Sequence, residues 1–241
     1  MKSNTKYSVR EPLPTMNIDV TLLKSIENYL FNSIPKLIGI SGTKKHEYYK
    51  ISIVDAHNEL TLATIDSYEH ELLPPKTNEV RVVFNIHNVE KDTSVNIEIR
   101  FTKDQFSSKV RLELTSLNSK ELATGILAKV REILDQKRNH NWLFQPSLKL
   151  YPVMLILIVG IGYLSRYTYK NNAKWSTIDM LVNILMITYL FLFSRLKPYM
   201  AFDTRVQRNN DKWAGVLLWG IPSFIIFGFA VPKILDFLIG K

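Results

Sequence analysis

Residues that could carry out chemistry are few in this sequence and lie far apart. Cysteine is absent from the 241 residues, which excludes disulfides, thiolate metal sites and cysteine nucleophiles. Residues 39–45 are glycine-containing and basic but lack the spacing of a phosphate-binding loop. The histidines lack the regular spacing of metal ligands, and we expect each to lie at the surface or in a turn: His46, His57, His70, His87 and His140. We therefore predict no metal site and no cofactor.

One acidic stretch could hold a general base or a cation, through Asp66, His70 and Glu71. A solvated loop between two strands explains the same residues without chemistry. The sequence contains no nucleophile elbow and no His-Glu-x-x-His zinc pair. We therefore predict that the protein is not an enzyme, and a membrane-associated enzyme using these three residues is the third of our hypotheses.

Polar residues also occur inside the second of three long apolar blocks. Asp179 and Asn183 are four residues apart and share one face of a predicted helix, with Thr188 further round it. A carboxylate and an amide in hydrocarbon must face other helices or water. These residues are therefore either helix-packing contacts, which is the simpler interpretation, or the lining of a pore.

The three blocks predict an all-α membrane domain of three transmembrane helices, at residues 148–166, 175–194 and 213–232. Gly220 and Pro222 predict a kink or gate in the third helix, which otherwise would be two half-helices that enter and return. Aromatic residues near the predicted membrane surfaces are expected to be interface anchors: Trp142, Phe144, Trp175 and Trp213. The lipid bilayer is thus an expected partner.

The distribution of basic residues predicts the orientation of these helices. Lys and Arg outnumber Asp and Glu, 31 to 22, and they concentrate before the first predicted helix and in a basic cytoplasmic loop at residues 195–212. The positive-inside rule then gives a multi-pass inner-membrane protein with a cytoplasmic N-terminal domain and an outside tail at residues 233–241. Because the surplus charge flanks apolar segments, we do not expect nucleic acid to be a partner.

Ahead of the apolar blocks, residues 18–136 have the pattern of one cytosolic α+β domain. Apolar residues at helical spacing predict two amphipathic helices, one capped by Asp19 or Thr21 and one opening at Asn118. Between them, apolar residues alternate with polar ones, the pattern of an antiparallel sheet with one buried face. The expected fold is an antiparallel sheet of four or five strands with two helices on one face. It is flanked by a flexible arm at residues 1–17 and a juxtamembrane elbow at residues 137–147.

The other face of the predicted sheet is polar and rich in cations. Alternation places a candidate face for a ligand or partner at Arg81, Arg100, Lys109 and Arg111. A cytosolic protein or a small molecule is the expected occupant. A homo-oligomer is also expected, because three helices from one chain cannot enclose an aqueous path.

Two functional hypotheses without catalysis precede the enzyme hypothesis named above. In the first, the cytosolic domain senses a ligand or assembles with itself, and it controls an oligomeric membrane module that forms a pore or disturbs the membrane. This arrangement resembles the sensor-plus-membrane effectors of bacterial antiviral defence, by analogy of architecture alone. In the alternative, the chain is a membrane-anchored scaffold or accessory subunit that recruits a cytosolic partner and forms no pore.

Overall fold

The computed structural model describes residues 4–39, 48–88, 92–104, 106–144, 160 and 195–225. The chain divides into two compact units. The first unit comprises residues 1–142 together with residues 198–207, and the second comprises residues 143–197 and 208–241. The first unit contains all the described strands.

The regular structure of the described residues consists of strands, α-helices and two 3₁₀ turns. The strands are β1 (Thr5–Pro12), β2 (Met16–Ile18), β3 (Tyr49–Val54), β4 (Glu59–Leu62), β5 (Glu79–Asn88), β6 (Thr93–Thr102), β7 (Lys109–Ser116) and β8 (Met200–Phe202). The helices are α1 (Val20–Asn32), α2 (Ile34–Leu37), α3 (Ser119–Asp135) and α4 (Arg205–Ile225). The 3₁₀ turns lie at Ile65–Ser67 and Asn141–Phe144.

Six strands form one sheet in the order β1-β7-β6-β5-β3-β4, and every neighbouring pair is antiparallel. The sequence indicated only four or five strands, because β1 falls within the residues interpreted as an arm. β1 is an edge strand whose core-facing apolar residues, Tyr7 and Val9, are only partly buried. An edge strand buries little surface, so its apolar alternation is weak and easily missed.

The core of the first unit lies between one face of the sheet and helices α1 and α3. Along β5, β6 and β7 every second residue is buried, as the pleat of a strand requires, and all of these residues except Asn88, Thr93 and Ser116 at the strand ends are apolar. The buried stripes of the two helices complete the same cluster of side chains. This packing leaves the opposite face of the sheet to polar and charged residues.

No helix among the described residues combines the length and the apolar character needed to cross a membrane. This finding contradicts the predicted all-α domain of three transmembrane helices and the multi-pass location in the inner membrane with the C-terminus outside. Of the predicted third span at residues 213–232, the structure describes residues 213–225, which belong to α4, a helix that begins at Arg205 and carries Arg208, Asp211 and Lys212 in its first turns. Apart from Gly160, the blocks at residues 148–166 and 175–194 lie outside the described residues.

A short segment from the C-terminal part of the chain completes the first unit. β8 pairs in parallel with β2, with Met16 opposite Met200 and Ile18 opposite Phe202. The Tyr199 hydroxyl donates a hydrogen bond of 2.6 Å to the carbonyl oxygen of Leu13. The residues of β8 are buried. Part of the segment interpreted as a cytoplasmic loop is therefore a strand of this domain.

Asp19 caps α1 and joins its start to the end of α3. Its carboxylate accepts hydrogen bonds from the backbone N–H of Leu22 at 2.7 Å and from Lys137 Nζ at 2.6 Å. Partial burial opposes ionisation, but the hydrogen bonds from Lys137, Thr21 and Leu22 outweigh it and hold the pKa of Asp19 below its ordinary value. Asn118, by contrast, makes no side-chain hydrogen bond to the start of α3.

We expect Asp19→Ala to lower the free energy of unfolding by about 1 kcal/mol at neutral pH, the usual cost of losing an N-cap. Because its pKa is lower in the folded state, the Asp19 carboxylate stabilises the fold at pH values above 3.8, the ordinary pKa. This stabilisation is lost as the pH falls through the pKa of the folded state. The difference between wild type and variant should therefore shrink below about pH 4. Urea unfolding at several pH values measures it, and a difference that grew on acidification would contradict this account.

Candidate functional site

The open face of the sheet, the face turned away from the helices, carries a row of three cations on adjacent strands. Arg81 on β5 lies directly opposite Arg100 on β6, and Arg100 lies directly opposite Lys109 on β7. Directly opposed residues have Cβ atoms about 4.5–5.5 Å apart, and like charges at this distance are destabilising. The fold therefore bears an electrostatic cost along this cation row.

Glutamates beside the row offset part of that cost. Arg100 donates from Nε to Glu79 Oε1 at 2.9 Å and from Nη2 to Glu79 Oε2 at 2.7 Å. Arg81 Nη2 lies 3.1 Å from Glu79 Oε1, and Arg81 Nε lies 3.7 Å from Glu98 Oε1. The hydrogen bonds to Glu79 outweigh partial burial and raise the pKa of Arg100. The two arginines are thus fixed in orientation, whereas Lys109 has no ion-pair partner in the described part of the chain.

A second row crosses the same face closer to the edge of the sheet. Arg111 on β7 lies between Glu98 on β6 and Arg10 on β1. Arg111 Nε donates to Glu113 Oε1 at 3.0 Å, and Lys6 Nζ lies 3.2 Å from Glu113 Oε2. Hydrogen bonds from Arg111 and Lys6 hold the pKa of Glu113 below its ordinary value. Arg10 faces Arg111 without an ion-pair partner of its own among the described residues.

Basic residues outnumber acidic residues on this open face. Strand register and alternation assign to it Lys6, Arg10, Lys50, Arg81, Arg100, Lys109 and Arg111, against Glu59, Glu79, Glu98 and Glu113. All four residues predicted as a ligand or partner face therefore lie together, although their role stays a prediction. The arrangement suits carboxylates or other anions that are spaced along an extended molecule.

Towards the β5–β6 connection, the open face becomes concave and most of its side chains are neutral. Asn85 lies opposite Asn96, and His87 lies opposite Ser94. With neighbouring residues of β1 and β7 they line a cavity of about 370 Å³. Amide, hydroxyl and imidazole groups in this cavity can exchange hydrogen bonds with a polypeptide backbone. The face thus carries the cation row at one end and, at the other, mostly neutral polar groups together with the ion pair of Lys6 and Glu113.

Of the three candidate catalytic residues, His70 and Glu71 line the same cavity, and Asp66 is not among the residues that line it. Asp66 Oδ1 lies 3.4 Å from Lys24 Nζ. In the open cavity of about 570 Å³ that His70 and Glu71 line, the His70 ring packs edge-on against Tyr68. Within the described ranges, no group of three or more His, Asp or Glu residues could hold a metal ion.

Of the remaining predicted site residues, Trp142 belongs to the first unit, and the others belong to the second unit or lie outside the described ranges. Trp142 and Trp213 are exposed, with 51% and 58% of their surface accessible. Phe144 ends a 3₁₀ turn, and the backbone of α4 includes Gly220 and Pro222. Asp179, Asn183, Thr188 and Trp175 are not among the described residues.

Sequence reasoning missed one buried carboxylate, on α1. Glu27 is 6% exposed and accepts hydrogen bonds from the Thr64 hydroxyl and, at 2.6 Å, from the backbone N–H of Ile65. Burial, together with the charge of Glu27, raises the pKa of Tyr49. The signal was present, because Glu27 occupies a position on the apolar stripe between Leu23 and Leu30. Through these hydrogen bonds, Glu27 attaches the segment after β4 to helix α1.

The candidate site consists of the cation row, the second row and the polar cavity beside them. No family model matches the chain, and the comparisons with curated proteins and with solved structures found no match either.

Proposed function

We propose that the protein is a non-catalytic sensor or scaffold whose open sheet face binds an acidic segment of a protein partner. The observation that carries this proposal is the cation row Arg81–Arg100–Lys109. Opposed like charges cost stability, and a fold tends to keep such a cost where binding requires it. Carboxylates from a partner would supply the counter-charge that the row lacks.

The fixed arginines suit the recognition of carboxylates. A guanidinium group binds a carboxylate through two parallel hydrogen bonds, which adds directionality to the charge attraction. Glu79 already holds Arg100, and it also contacts Arg81. Because these side chains are ordered before binding, less conformational entropy is lost when a partner arrives. Lys109 and Arg10 would gain most from a bound carboxylate, because neither has an ion-pair partner among the described residues.

The glutamates on the face favour an acidic protein over a nucleic acid. Glu79, Glu98 and Glu113 are interspersed with the cations. Duplex DNA carries about one negative charge per 1.7 Å along its axis, so a phosphate backbone crossing the face would meet these carboxylates. An acidic polypeptide can place its carboxylates over the cations and leave neutral residues over the glutamates.

The proposal predicts that Arg10→Glu with Lys109→Glu weakens binding of an acidic peptide at least about 10-fold, equivalent to about 1.4 kcal/mol. These two residues are chosen because neither has an ion-pair partner within the described fold, so the substitutions break no ion pair there. Fluorescence anisotropy with labelled oligoglutamate and the full chain, near physiological salt, measures the dissociation constant.

The matched control is Lys36→Glu with Lys120→Glu, which changes the charge equally on the exposed surfaces of α2 and α3. The control should leave the affinity within about 2-fold of wild type, because surface substitutions away from a site change little. Equal weakening by both double variants would show a general charge effect and contradict the proposal. Tighter binding of duplex DNA, lost in the same variant, would assign the face to nucleic acid instead.

A further inference from the structure

The outer edge of β1 is an unpaired sheet edge beside the cations. β1 pairs with β7 on one side, and no strand in the described part of the chain pairs with its other side. Thr5, Lys6, Ser8 and Arg10 are exposed. Every second backbone N–H and C=O group of such an edge points away from the sheet, ready to pair with another extended chain.

The charges of β1 disfavour pairing with a second copy of itself. In an antiparallel pair of β1 strands centred on Ser8, Lys6 of one copy would lie opposite Arg10 of the other, twice. Like charges opposite one another are destabilising. The edge therefore fits a strand that brings negative charge in place of these cations.

We propose that the acidic partner segment binds as an added strand along the outer edge of β1. This inference rests on the proposed function and specifies how the partner is held. Side chains of a strand alternate between faces, so residues at every second position would lie on the open face beside Lys6 and Arg10. A carboxylate opposite Arg10 would also relieve the repulsion between Arg10 and Arg111.

The other face of β1 specifies the remaining positions of the partner. Tyr7 and Val9 are only partly buried against the core. A groove of about 330 Å³ opens on this side between β1 and α3, and its lining includes the apolar side chain of Leu127 and the ion pair of Glu11 with Arg131. Added strands gain affinity from backbone hydrogen bonds and specificity from alternate side chains. The partner segment is therefore one in which acidic residues alternate with apolar ones.

The test compares octapeptides of one composition, matched to the eight residues of β1. One peptide alternates Glu and Val, and the other has all its Glu before all its Val. Two further alternating peptides carry N-methyl groups on one or the other set of alternate residues, which removes the backbone donors from one edge of the strand. Anisotropy with the full chain gives the affinities, and hydrogen exchange reports on the amides of β1.

We expect the alternating peptide to bind at least about 10-fold more tightly than the block peptide. One set of N-methyl groups should abolish this gain and the other should not, because only one edge of the added strand faces β1. Alternate amides of β1 should exchange more slowly in the complex.

Equal affinity of all four peptides, still lost in Arg10→Glu with Lys109→Glu, would overturn strand addition and leave the proposed function standing. Failure of oligoglutamate and every acidic octapeptide to bind would overturn both. In that case Lys6, Arg10 and Pro12 would serve only to protect the edge from aggregation.

Discussion

Replacing Phe202 by alanine will lower the free energy of unfolding of the first unit by about 3–5 kcal/mol, the usual cost of truncating a buried aromatic side chain. Phe202 is 2% exposed and is among the largest fully buried side chains. It lies opposite Ile18 in the parallel pair of β2 and β8. The large effect is expected because β8 is part of the core, although the sequence places it far from the other strands.

Hydrogen exchange of the amides in β5–β7 measures this loss in the full chain, because these central strands open only when the unit unfolds. Each 1.4 kcal/mol corresponds to about a 10-fold faster exchange, so the smallest expected loss is an increase of about 100-fold. Val206→Ala is the matched control, since Val206 belongs to the same segment but is 51% exposed. It should change stability by less than about 0.5 kcal/mol.

If Phe202→Ala behaved like this control, residues 198–207 would not be an integral part of the domain. The backbone hydrogen bonds argue that they are. The N–H of Asp203 donates to the carbonyl oxygen of Ile18 at 2.8 Å, and the carbonyl oxygen of Asp203 accepts from the N–H of Leu73 at 3.0 Å. Asn141 Nδ2 donates to the carbonyl oxygen of Pro198 at 2.9 Å.

Glu27→Ala is expected to cost about 3 kcal/mol of stability. The variant removes two hydrogen bonds to the Glu27 carboxylate. The Thr64 hydroxyl and the buried N–H of Ile65 then lose this acceptor. Hydrogen bonds to charged groups contribute about 1.5–3 kcal/mol each, and an unsatisfied buried donor is costly. Glu27→Gln keeps one acceptor oxygen and should lose about half as much.

Denaturant unfolding of both variants tests this prediction. Glu132→Ala is the control, because Glu132 is an exposed helical glutamate whose ion pair with Lys129 lies at the surface. Its expected effect is below about 1 kcal/mol, as for most surface ion pairs. A Glu27→Ala protein as stable as the Glu132→Ala protein would mean that the segment after β4 does not depend on this carboxylate.

Local patterns located much of the first unit. Strict alternation in β5, β6 and β7 depends only on neighbouring residues, so it could be recognised without knowledge of the fold. The same holds for the apolar stripes of α1 and α3 and for the cap at Asp19. Alternation also assigned Arg81, Arg100, Lys109 and Arg111 to the polar face, since position parity is a local property.

Other features could not be predicted, because they depend on pairing between distant residues. The prediction of three transmembrane helices failed for the described residues. The third predicted helix was placed from the apolar residues that follow Trp213, whereas the helix in the structure begins at Arg205 and its first turns are charged. The predicted homo-oligomer stays a prediction. Strand β8 was not predicted, because its three residues form too short a pattern to distinguish a strand from a loop.

The amino-acid sequence by itself determined which residues of each strand face the core and which face away, because the side-chain period is a property of the local backbone. Only the tertiary structure decided that Arg81, Arg100 and Lys109 stand directly opposite one another, and that Arg10 faces Arg111 across the edge. Register is set by long-range packing of one strand against the next. The candidate binding face exists only once that register is formed.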